Sequence, residues 1–72
     1  MYNNKRYSDK VIDVVITRVE EDRHGYTLYD LESPVAFTKF DTHLNEIELG
    51  RVNKLHIRED FNNGNSYFLK VI

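Results

Sequence analysis

The chain is predicted to be all-β: a small barrel of five antiparallel strands, with at most one short helical turn between the third and fourth. Three observations lead there. Runs rich in Val, Ile, Tyr, Phe and Thr recur at 10–19, 26–31, 35–40, 51–58 and 66–72, and these residues favour the pleated strand. Turn chemistry separates them: a charged 20–25 segment ending in Gly25, then Ser33-Pro34, Gly50, and Asn62-Asn63-Gly64-Asn65. No stretch sustains the i, i+3, i+4 apolar spacing of an amphipathic helix. Five strands within 72 residues favour closure, because an open sheet would leave one apolar face in water.

The elements follow in order. Residues 1–9 are polar apart from the terminal Met1, Tyr2 and Tyr7 and read as a flexible arm before a single domain over 10–72. In the first strand Ile12, Val14 and Ile16 share one face, and Val11, Val15 and Val19 the other. Apolar residues on both faces predict a long, bent strand shared between two halves of a barrel. Gly25 can take the positive φ that a hairpin needs there. Tyr26 and Leu28 then oppose Thr27, Tyr29 and Leu31, and Pro34, which has no amide hydrogen, marks a turn or strand start.

The third strand sets Val35, Phe37 and Lys39 against Ala36, Thr38 and Phe40. Residues 41–49 suit a single helical turn or a loop, capped by Asp41 or Thr42 with Leu44 and Ile47 inward. Val52, Leu55 and Ile57 break strict alternation, which a bulge near Asn53 would reconcile. Asn63-Gly64 is a strong hairpin signal. Beyond it, Tyr67, Leu69 and Val71 oppose Phe68, Lys70 and Ile72. The predicted core is Val14, Ile16, Leu28, Leu55, Ile57, Leu69 and Val71.

Composition narrows the function classes. Twelve acidic residues against ten basic give a formal charge of −2, which argues against gripping nucleic acid by charge alone. The chain has no Cys, so disulfides and thiolate zinc sites are excluded. Its longest apolar run, Val14-Val15-Ile16, falls far short of the ~20 residues of a membrane span. No apolar leader follows the basic start, so the expected location is cytoplasmic and away from membranes. His24, His43 and His56 lack ligand spacing, and Glu20-Glu21-Asp22 lacks that of a calcium loop. Ser8, Ser33 and Ser66 have no nucleophile context, and there is no phosphate loop. The expectation is a non-enzymatic binding module without metal, cofactor or small-molecule substrate.

The order of elements over 11–72 resembles an OB-fold of the compact cold-shock type. His24-Gly25-Tyr26-Thr27-Leu28 stands where that family carries a Lys-Gly-Phe-Gly-Phe-like motif. Ala36-Phe37-Thr38-Lys39-Phe40 stands at its Val-Phe-Val-His-Phe-like motif, and Gly50 and 62–65 match its later glycine-bearing segments. Thr27, Leu28 and Lys39 depart from the motif residues, and the first-strand tryptophan has no counterpart. The resemblance implies a topology that serves many functions.

Two functions are expected as alternatives. One is binding of single-stranded DNA or RNA across the second and third strands. Tyr26, Phe37 and Phe40 would offer flat rings for bases, with Lys39, Arg51 and Arg58 for phosphates. The ordinary alternative is that such rings are core and that Arg51, Lys54, Arg58 and Lys70 are solvated charges discouraging edge pairing. Phe37 and Phe40 have opposite parity, so one of them should be exposed. The other function is a regulator or inhibitor of phage or mobile-element type. It would contact a host protein through Glu20, Glu21, Asp22, Tyr29 and Phe61.

Overall fold

The computed structural model describes residues 6–72. The chain forms β1 (Tyr7–Val15), β2 (Arg18–Asp22), β3 (Gly25–Asp30), β4 (Ser33–Thr38), a 310 turn (Leu44–Glu46), β5 (Val52–Asp60) and β6 (Ser66–Val71). These strands make one sheet in the order β1-β5-β6-β4-β3-β2. The all-β expectation holds. The count and the pairing do not: the described residues form six strands where five were predicted, and the sheet is mixed and not closed. Neighbours are antiparallel except β4 and β6, which run parallel and meet at Phe37 and Tyr67.

The extra strand arises where the predicted first strand breaks. Ile16 is wholly buried, and its carbonyl accepts the Gly50 N–H at 2.9 Å. The Thr17 N–H and hydroxyl both donate to the Tyr29 carbonyl, at 2.7 and 3.2 Å. These bonds turn the chain from one ladder to another. β1 ends opposite Val52, and β2 begins opposite Tyr29. The two ends of the sheet order are thus consecutive in sequence, separated by Ile16 and Thr17.

β1 also starts earlier than expected. Tyr7, Ser8 and Asp9 pair with Asp60, Glu59 and Arg58, so they belong to the sheet. Of the rest of the predicted arm, the Arg6 carbonyl accepts the Phe61 N–H at 2.8 Å, and residues 1–5 lie outside the described residues.

Ile16, Leu28, Ala36, Leu55, Ile57 and Phe68 form the buried core, with Val14 and Val71 partly buried against it. Leu69, predicted to be core, is only half-buried and Phe68 takes its place. The cause is a register shift: His56 opposes Lys70, but Ile57 opposes Phe68. Leu69 is the extra residue of a bulge, and the inward parity of β6 changes across it.

No bulge is needed near Asn53. Asn53, Leu55 and Ile57 alternate inward, and Asn53 is buried at 5% exposure. Its Oδ1 accepts the Glu48 N–H at 2.9 Å, and its Nδ2 donates to the carbonyls of Glu48 and Arg51 at 2.9 and 3.0 Å. A buried amide is stable only with such partners. Here they shape the turn that delivers Gly50 to Ile16.

Candidate nucleic-acid interface

Directly opposed residues in a sheet lie on the same face. The pairings Asp9–Arg58, Arg58–Tyr67, Tyr67–Phe37, Phe37–Thr27 and Thr27–Glu20 therefore draw one line of side chains across all six strands. It lies on the face away from the core, since Leu28 opposes Ala36 and Ile57 opposes Phe68 on the other side. Two aromatic rings sit in the middle of the line, with an arginine to one side.

A cleft of about 250 Å³ opens over this middle section. Thr27, Phe37 and Tyr67 form its floor, while Asp22, His24 and Gly25 from the β2–β3 turn make one wall. Asn65, from the loop between β5 and β6, lines it too, along with Lys39 and Tyr26. Each wall is held locally. The Asp22 carboxylate accepts the His24 N–H at 2.7 Å, and Asn63 donates to the Tyr67 hydroxyl at 3.0 Å while accepting the Asn65 N–H at 2.9 Å. Gly25 has φ +134°, and a Cβ there would overlap the Thr38 carbonyl oxygen and stand 2.9 Å from the Lys39 Cα. Only glycine lets β3 start so close to the end of β4.

Of the predicted nucleic-acid residues, the structure gathers Tyr26, Phe37 and Lys39 at this cleft. Phe37 is half-buried, and Lys39 is exposed with no ion pair among the described residues. Tyr26 opposes Thr38, so its ring lies toward the other face of the sheet from Phe37. Its cross-strand partner is Glu21. A hydrogen bond to that carboxylate, first, and then burial and nearby negative charge raise the Tyr26 hydroxyl above the usual tyrosine range.

Phe40 is the exposed member of the Phe37/Phe40 pair, at 73%. It borders a separate groove with Thr42, His43 and Leu69. Arg51 stands in the turn before β5, 3.9 Å from Glu48, away from the cleft. Arg58 adjoins it through Tyr67. The Arg58 Nε and Nη2 donate to Asp9 Oδ1 and Oδ2 at 2.7 and 3.0 Å, and its guanidinium lies 4.2 Å over the Tyr7 ring. His56 Nε2 is 3.2 Å from the same Asp9 Oδ2. The Arg58 hydrogen bond is the largest influence holding the Asp9 carboxyl below the usual carboxylate range, against a smaller opposing effect of desolvation. The same bond raises Arg58.

The residues of the protein-partner alternative make contacts within the chain. Glu20 pairs with Arg18 at 3.3 Å, Glu21 is the direct cross-strand neighbour of Tyr26, and Asp22 accepts the His24 amide N–H. Tyr29 lies under the Arg18 guanidinium at 4.0 Å. Phe61 is 56% exposed in the turn after β5.

Sequence reasoning missed Tyr67, Asn65 and Asp9. Regular alternation assigned Tyr67 the parity of Leu69 and Val71, and the bulge that reverses this leaves no local compositional trace. Asp9 fell within the supposed arm. Among the described residues no group of three or more His, Asp or Glu side chains is placed to hold a metal ion, and no helix is long and apolar enough to cross a membrane.

No family model matches the chain, and comparison with curated proteins and with solved structures returns no match.

Proposed function

We propose that the chain is a non-enzymatic binding module with an OB-like, partly open barrel, and that it takes single-stranded DNA or RNA across β3, β4 and β6. Counting β1 and β2 as one bent strand, β5 lies beside it, and β3 and β4 follow on its other side. That is the fourth-first-second-third order of a Greek key. In OB-type barrels oligonucleotides bind on the second and third strands, between the loops that join strands one to two and four to five. The cleft draws on the equivalent parts: β3, β4, the β2–β3 turn and the β5–β6 loop.

The observation that carries the reading is the Phe37–Tyr67 pair on the floor of this cleft. Two adjacent rings on an outer face offer stacking surfaces of ~1–3 kcal/mol per base, and Lys39 supplies a cation at the same mouth. Few cations means weak binding with a shallow salt dependence. The internal partners of Glu20, Glu21, Asp22 and Tyr29 make the protein-partner alternative the less supported one.

The test is fluorescence anisotropy with a labelled oligonucleotide at low salt, comparing the parent with a Phe37→Ala/Tyr67→Ala variant shown to be folded. Binding should weaken at least tenfold, as expected for the loss of about 1.4 kcal/mol or more of stacking. No binding by the parent, or equal binding by the variant, would transfer the reading to a protein partner.

A further inference from the structure

The clamp between Asp9 and Arg58 bears on how this site is controlled. We infer that Asp9 is a built-in competitor for the phosphate position beside Tyr67: it occupies the Arg58 fork, and a backbone phosphate must displace it to bind. The inference rests on the nucleic-acid reading above.

Arg58 is the direct cross-strand neighbour of Tyr67, so its guanidinium borders the aromatic floor on the side away from Thr27. A nucleotide stacked on Tyr67 would bring its phosphate within reach of that fork. The fork is already engaged, with Nε on one Asp9 oxygen and Nη2 on the other. The same pair of parallel donors suits a carboxylate or a phosphate, and it can face only one at a time. The Tyr7 ring beneath the guanidinium, 4.2 Å away, keeps its plane in place whichever anion it holds.

Exposure makes the exchange feasible. The Arg58 and Asp9 side chains are 40% and 34% exposed, so water and other anions reach them, and ion pairs in such settings are weak. Asp9 released from Arg58 is not left isolated, because His56 stands 3.2 Å from its Oδ2. β1 thereby limits the affinity of a site whose paired rings, Phe37 and Tyr67, stand on β4 and β6.

The test compares the parent, Asp9→Asn, Arg58→Gln and the double variant, each checked for folding by circular dichroism, in oligonucleotide titrations from low to physiological salt. Asp9→Ser replaces Asp9→Asn if the amide keeps a bond to Arg58. Asp9→Asn should bind about three- to tenfold more tightly, the range set by a weak exposed pair with bidentate geometry. Its salt slope should steepen from near −0.7 toward about −1.4, as one phosphate contact becomes two on a single strand. The gain should vanish in the double variant. Equal affinity of parent and Asp9→Asn overturns the inference and leaves the site reading standing, as does a gain that survives loss of Arg58. No oligonucleotide binding by any of the four overturns both.

A readout without nucleic acid separates these further. Inorganic phosphate should shift the Arg58 Nε–H resonance in Asp9→Asn at concentrations that leave the parent unmoved. Equal shifts in the two proteins overturn the inference.

Discussion

At the scale of single residues, the fold depends on two positions where local geometry leaves little choice. Gly25 combines positive φ with an approach to β4 that has no room for a methyl group. Gly25→Ala should destabilise the domain by about 2–4 kcal/mol, the sum of a left-handed backbone penalty of ~1–2 kcal/mol and a clash. Chemical denaturation would measure it, and the cleft residues should show the largest amide shift changes. The glycine was legible in the sequence because a charged turn ending in Gly before a strand has one common solution. Asn53 was not. Its place among apolar residues suggested a bulge, whereas the amide faces inward to bond the Glu48–Arg51 turn. Asn53→Leu keeps the volume and removes three hydrogen bonds, each contributing ~0.5–1.5 kcal/mol. A loss of about 2–3 kcal/mol is expected from urea unfolding, despite the more apolar side chain.

At the scale of elements, each of the six strands overlaps a predicted run, β2 only at Arg18 and Val19, because period-two alternation and turn residues are local signals. What decided the site was non-local. The bulge at Leu69 depends on how β5 and β6 register, and the parallel contact of β4 with β6 on how two hairpins meet. Neither leaves a mark in a short window of sequence, so Phe68 and Tyr67 were assigned to the wrong faces. The consequence is measurable in β6 itself. Phe68→Ala should cost about 3–5 kcal/mol, whereas Leu69→Ala should cost clearly less, because Leu69 is only half-buried. Domains of this length have a total stability of roughly 4–10 kcal/mol, so Phe68→Ala should be partly unfolded at room temperature. Equal effects of the two substitutions would mean that β6 pairs with β5 in the unbulged register.

At the scale of the whole molecule, the clamp joins β1, at one end of the sheet order, to its neighbour β5, and Tyr26–Glu21 joins β2, at the other end, to β3. The two respond to pH in opposite directions. Asp9 has a folded-state pKa below its unfolded value of about 3.9. Its stabilising contribution is therefore complete above that value and disappears as pH falls through the folded one. Tyr26 has a folded-state pKa above its unfolded value of about 10. Its contribution is complete below about pH 10 and disappears as pH rises through the folded value. Thermal melts of the parent, Asp9→Asn and Tyr26→Phe across acid and alkaline pH should resolve the two. The parent should lose its advantage over Asp9→Asn only below about pH 4, and its advantage over Tyr26→Phe only above about pH 10. Both ions are solvent-exposed, so added salt should shrink the acid-side difference. An Asp9→Asn curve parallel to the parent's through the acid range would mean that the Arg58 fork does not hold Asp9 in solution.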